Sequence, residues 1–109
     1  MGRPVTLTTT DASGAATSSA VFIPDLYRTP FNIGFGIVKT GVVNFTVQHT
    51  FDDPFAADFT VAGATWFNHA SVAAATANAD GNYAYPCRAI RLVQNSGSGS
   101  CIMTVIQAD

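Results

Sequence analysis

From Val43 to Phe51 the chain reads VNFTVQHTF. One set of alternate residues is Val43, Phe45, Val47, His49 and Phe51, and the other is Asn44, Thr46, Gln48 and Thr50. Successive side chains of a β-strand point to opposite faces, so this period of two specifies a strand with one apolar and one polar face. The rest of the chain is built from the same material. It contains no Glu, a single Lys (Lys39) and three Leu, the residues that commonly fill helices. Val, Ile, Thr and Phe, which suit a pleated surface, are abundant.

A second alternating run, Phe31, Ile33, Phe35 and Ile37 against Asn32, Gly34, Gly36 and Val38, precedes the first. Lys39-Thr40-Gly41 lies between the two runs and reads as a turn, so residues 31–38 and 42–51 are expected to form a hairpin. RPVTLTTT reads as a first strand, and AVFIPDLY as a short strand ended by Pro24, which cannot donate to a ladder. One more strand is expected near Phe59 to Trp66. SVAAATANAD reads as a loop with one helical turn, and Asp80-Gly81 as a turn. NYAYPCRAIRLV and CIMTVIQA read as the last two strands, joined by the loop QNSGSGS. In the final strand Cys101, Met103 and Val105 share one face and Ile102 and Ile106 the other, so both faces are apolar. Short strands punctuated by turns indicate one all-β domain over residues 1–109, a small antiparallel β-sandwich of jelly-roll style with little or no helix. Its expected core is Phe35, Ile37, Val43, Phe45, Val47, Ile90 and Leu92.

Charged residues are 11% of the 109, the net charge is −2, and 48% of the residues are hydrophobic. A surface with so little charge favours association, which points to a face covered in the working state. Arg3, Arg28, Lys39, Arg88 and Arg91 are scattered, so there is no clustered basic surface of the kind that tracks nucleic-acid phosphates. No apolar run approaches the ~18 residues of a membrane helix. Gly2 and Thr6 fit a loose myristoylation pattern, and Asn44-Phe45-Thr46 fits a glycosylation sequon placed mid-strand.

The two cysteines do not make a disulfide framework. In the expected hairpin Val93 faces Cys101, and Cys87 lies opposite the region of Gln107. That separation exceeds the reach of a bridge, so both are read as free thiols. Two Cys and two distant His also fall short of a metal site.

Two stretches admit a chemical reading and a structural one. His49 precedes Asp52 and Asp53, which suggests acid–base or metal chemistry; the alternative is a core or rim histidine with a backbone partner. Trp66, Phe67 and His69 in TWFNHA suit stacking on a sugar or base, or a packing or interface anchor. No nucleophile elbow, dinucleotide fingerprint or phosphate-binding loop is present. No catalytic residue, metal ligand or cofactor is therefore expected.

Three stretches, VNFTVQHTFDDPF, ATWFNHASVAAATANADGNYAYPCRAIRL and SGSGSCIMTVIQA, together resemble small proteins encoded among the structural genes of tailed bacteriophages. Those proteins show a V-x-[FY]-T-V-Q-[HY]-T-[FYL]-D-D strand and a TWF stretch with a small-residue loop. A P-x-R-A-I-R-L segment and a terminal T-V-I-Q-A strand follow. The resemblance spans residues 20–108. It implies a virion structural protein of the head decoration or cement type, on the outer surface of the capsid, bridging subunits of the major capsid protein. The alternatives are a tail, collar or fibre module, or a carbohydrate-binding module using Trp66, Tyr83 and Tyr85. A homo-oligomer, dimer or trimer, is expected. Trp66, Phe67, Met103 and Val105 are the interface candidates, and residues 2–20 are a candidate N-terminal arm.

Overall fold

The computed structural model describes residues 5–11, 17–19, 21–24, 32–83 and 87–107. The described residues form one antiparallel sheet of six strands and contain no helix. The strands are β1 (Val5–Asp11), β2 (Thr17–Ser18), β3 (Ile33–Thr50), β4 (Trp66–Asn68), β5 (Ala79–Tyr83) and β6 (Ala89–Gln107). The all-β, sandwich-like architecture agrees with the sequence.

The connectivity corrects the sequence in two places. Residues 33–50 are not a hairpin but one continuous strand, and the stretch QNSGSGS is not a loop but the middle of β6. The two long strands pair with each other from Ile33↔Gln107 to Thr50↔Ala89. Drawn straight, an 18-residue strand would run roughly 56 Å, whereas the longest dimension of the molecule is 39 Å. The β3–β6 ribbon therefore bends. Its waist is where Gly41 pairs with Gly99 and Val43 with Gly97. All three glycines take positive φ, at 89°, 102° and 149°. A Cβ at Gly97 would meet the carbonyl oxygen of Val42, and one at Gly99 that of Thr40. Only glycine fits such a close backbone approach in these conformations.

The waist divides the ribbon into two half-sheets. At one end β1 adds to β6 and β5 adds to β3; at the other, β2 adds to β6 and β4 to β3. Asp80-Gly81 accordingly lies inside β5 rather than in a turn. Gly81 leaves room for the ring of Phe35 and the imidazole of His69. The expected strand near residues 59–66 is displaced to Trp66–Asn68. Of AVFIPDLY, Phe22 makes a single bridge to Ile90, and residues 25–31 lie outside the described residues.

The inward residues of β3 are Ile33, Phe35 and Ile37 before the waist and Val43, Phe45, Val47 and His49 after it, all odd-numbered. In β6 they are Ile90, Leu92 and Gln94, then Cys101, Met103 and Val105. A bulge changes the parity: Asn44 pairs with Ser96 and Phe45 with Gln94, leaving Asn95 extra. Without that residue Arg91 and Val93 would turn inward. The Asn95 amide fastens the bulge by donating to Asn44 Oδ1 at 2.8 Å and Thr46 Oγ1 at 2.9 Å.

Both half-sheets bury their inner faces in one cluster, which includes all seven expected core residues together with Leu7, Ile33, Tyr83, Met103 and Val105. Met103 and Val105 are thus core, not interface; the outward residues of that strand are Ile102 and Ile106. Residues 5–11 of the candidate arm are a paired strand with Leu7 and Thr9 buried, and residues 2–4 and 12–16 lie outside the described residues. Cys87 and Cys101 are free and buried, but not for the reason the sequence suggested. They lie along a single direction of chain, Cys87 just before β6 and Cys101 within it. Polar groups inside are paired: Thr9 Oγ1 donates to Gln94 Oε1 at 3.1 Å, and among the described residues no buried side-chain nitrogen or oxygen lacks a partner.

Candidate functional site

The C-terminal end of β3 and the start of β4 pair as Thr50↔Trp66, His49↔Phe67 and Gln48↔Asn68. Residues 51–65 therefore form a loop at one end of the fold. Short-range hydrogen bonds give this loop its shape. Asp53 Oδ1 accepts from Phe55 N at 2.9 Å, and Thr60 Oγ1 accepts from Gly63 N at 3.0 Å, contacts typical of Asx and Ser/Thr turns. Asp52 Oδ2 accepts from Thr65 N at 2.8 Å, and the buried Thr50 hydroxyl donates to Thr65 O at 2.7 Å. Outside the loop, Arg88 Nη1 lies 3.4 Å from Asp53 Oδ1, with both side chains about half exposed.

This loop and the adjoining strand β4 carry aromatic side chains into solvent. Phe55 is 78% exposed, and Phe51 and Phe67 are about half exposed. Phe51 and Phe67 touch, with ring centroids 5.8 Å apart, and both lean on His49. Beneath them His49 Nδ1 lies 2.9 Å from the Tyr83 hydroxyl. The His69 ring meets Tyr83 edge-on at 4.9 Å and bonds through Nε2 to the Asn82 carbonyl at 2.9 Å. Burial holds the pKa of His49 below its ordinary value, and His69 adds to the effect.

His49 is thus a core histidine, as the structural alternative had it, and the Tyr83 hydroxyl is one of its partners. Its acidic neighbours are occupied in shaping the loop. A cleft of about 350 Å³ beside the loop is lined by Asp52, Asp53, Asp58, Phe59, Thr60 and Gly63, among others. Among the described residues no three His, Cys, Asp or Glu side chains are grouped to hold a metal ion. Burial raises both thiols, Cys87 to about 12. A thiol so raised stays protonated and is a poor nucleophile near neutral pH.

Trp66 and Phe67 do not form one anchor. Adjacent residues of a strand point to opposite faces. Phe67 faces His49 at the mouth of the fold. Trp66 lies half-buried on the other side, where its Nε1 donates to Val61 O at 2.8 Å and the Arg91 guanidinium sits 4.3 Å from its ring centroid. Arg91 Nε in turn donates to Gln48 Oε1 at 2.9 Å. Trp66 is therefore a clamp on the loop, and the exposed aromatic surface is Phe51, Phe55 and Phe67. The sequence assigned Phe51 to the core face and read Asp52-Asp53-Pro54-Phe55 as an end of the sandwich free to touch a neighbour, without listing Phe55 among the interface candidates. The signal for Phe55 was present in Asp53-Pro54-Phe55, where an aromatic directly follows a turn pair. Tyr83 is fully buried, which removes it from the proposed sugar-stacking set, and Tyr85 lies outside the described residues.

Comparison with known proteins finds no matching family model, curated protein or solved structure.

Proposed function

We propose that this protein is a virion structural protein that decorates the outside of a bacteriophage capsid as a homo-oligomer and cements neighbouring subunits of the major capsid protein. The observation that carries the reading is the aromatic end of the fold. Phe51 and Phe55 stand exposed on a loop fixed by its own hydrogen bonds, and Phe67, on the adjoining strand β4, packs against Phe51; the polar groups Asp52, Asp53 and Asp58 belong to the same loop, and Arg88 reaches Asp53. An apolar centre within a polar rim is how protein interfaces are built, and aromatic side chains dominate their energetics. A pre-ordered loop spends little conformational entropy on docking. The resemblance to phage structural proteins names the partner, and the low charge of the chain suits a surface held against a lattice. Repetition over a capsid lets weak contacts sum, so a modest affinity per copy suffices.

The test is co-sedimentation of purified protein with heads of the encoding phage from which it has been stripped. Wild-type protein is expected to pellet with heads, and Phe55→Asp with Phe67→Asp to stay in the supernatant while melting as wild type does. Equal pelleting of the double variant, or binding to tails alone, removes the reading.

A further inference from the structure

Two glycines of β3 meet no close neighbour among the described residues. A Cβ at Gly34 or Gly36 would find nothing within 4 Å, and neither residue has positive φ. Gly81 and the waist glycines, in contrast, are each required by a close neighbour. Glycine weakens a strand interior, and a bare stretch of strand marks a place where something approaches closely. Among the described residues nothing approaches Gly34 or Gly36, and both lie on the outward face of the half-sheet formed by β1, β6, β3 and β5, where a second molecule can reach them.

Beside this bare strip stands a ridge. Ile106 pairs directly with Gly34, and Ile102 with Val38, on the neighbouring strand. Ile102 is 44% exposed, Ile106 50% and Val38 58%. Groove and ridge thus run side by side, one strand spacing apart and level with each other. We infer that this face binds a second copy of the chain, sheet to sheet, about a two-fold axis that lies along the strands between β3 and β6. That axis exchanges the two strands while keeping the level. It places the partner's Ile106 over Gly34, and Ile106 over the partner's Gly34, the reciprocity of an isologous contact. Charge is compatible with the same axis. Asp80 pairs with Gly36, whose other partner Thr104 pairs with Thr6. The two-fold therefore sets Asp80 over Thr6 of the partner copy, and no carboxylate faces another.

The size of the face sets the strength. Four strands at about 4.8 Å and seven residues at about 3.4 Å give roughly 450 Å² per copy. Two such faces make roughly 900 Å², in the range of weak and reversible complexes. The inference specifies the copy-to-copy contact within the oligomer proposed above and rests on that part of the proposal.

The experiment is sedimentation equilibrium of the purified protein across micromolar to millimolar concentration. Wild type is expected to pass from one to two copies. Gly34→Arg, which the open space above Gly34 allows to fold, is expected to remain at one copy, and so is Gly34→Ile. Gly34→Ile combined with Ile106→Gly reverses groove and ridge and is expected to restore the dimer. Ile23→Lys, at an exposed position next to the bridge between Phe22 and Ile90 in the other half of the fold, is expected to dimerise as wild type does. A wild type that stays monomeric or forms trimers overturns the inference. So does a Gly34→Arg variant that dimerises normally, or a reversed pair that does not recover. Heads are absent from this experiment, so its failure is a failure of the dimer and leaves capsid binding to be decided by co-sedimentation.

Discussion

His49 Nδ1 and the hydroxyl of Tyr83 lie 2.9 Å apart and tie the far end of β3 to β5, across the two half-sheets. His49 is buried, and that burial, with the neighbouring His69, lowers its pKa from 6.5. A base whose folded pKa is depressed takes up protons more readily when unfolded. Its contribution to stability is therefore whole above pH 6.5 and is lost as the pH falls through the folded pKa. The urea midpoint is expected to be level between pH 8 and 7 and to fall between pH 6.5 and 5, with a shallower fall in His49→Gln. A midpoint that rises on acidification would show that His49 is not held neutral.

Phe45 is completely buried at the centre of the shared core, whereas Phe55 is 78% exposed. Phe45→Ala is expected to cost about 3–5 kcal/mol, as large aromatic truncations do. Phe55→Ala is expected to stay within about 0.5 kcal/mol of wild type. Thermal denaturation of the two variants checks the assignment of faces, and equal losses would contradict it.

The glycines divide in the same way. Gly97→Ala and Gly99→Ala force a Cβ against a carbonyl oxygen at positive φ, and loss of the folded state is expected. Gly34→Ala meets nothing within the chain and is expected to raise monomer stability by about 0.5 kcal/mol or more, the usual gain of Ala over Gly in a strand. Denaturant melts at low protein concentration separate the two groups. Tolerance of Ala at Gly97 would contradict the bent ribbon.

Cys87 and Cys101 are buried and unbridged. Neither is expected to react with a thiol reagent in the native protein at neutral pH, and both are expected to react once it is denatured without reductant. A mass showing a Cys87–Cys101 bridge would contradict the register of β6.

The β class and the inner faces were legible because period-two alternation is a local signal. Phe35, Ile37, Val43, Phe45 and Val47 fall inward in both readings. The continuity of β3 and β6 was not legible. Lys39-Thr40-Gly41 and SGSGS carry the composition of turns, and only their pairing with each other shows that they are the two sides of one bend. Met103 and Val105 were misassigned for a related reason. A strand apolar on both faces does not reveal which face is inside; the bulge at Asn95 decides that, and a bulge depends on the partner strand. The aromatic end was legible in part: Phe67 was an interface candidate and residues 52–55 an end of the sandwich free to touch a neighbour, but the packing of Phe51 and Phe67 over His49 and Tyr83 joins residues far apart in the chain. Trp66 stood out as one of an aromatic pair beside a histidine in TWFNHA, yet its indole is spent on Val61 and Arg91.

The most direct measurement is the temperature at which phage heads release their genome, recorded for complete heads, for heads stripped of this protein, and for stripped heads to which it has been returned. Cementing by the aromatic end gives a lower release temperature for stripped heads, full recovery with wild-type protein, and no recovery with Phe55→Asp combined with Phe67→Asp. Stripped heads as stable as complete ones, or recovery with the double variant, would contradict the account.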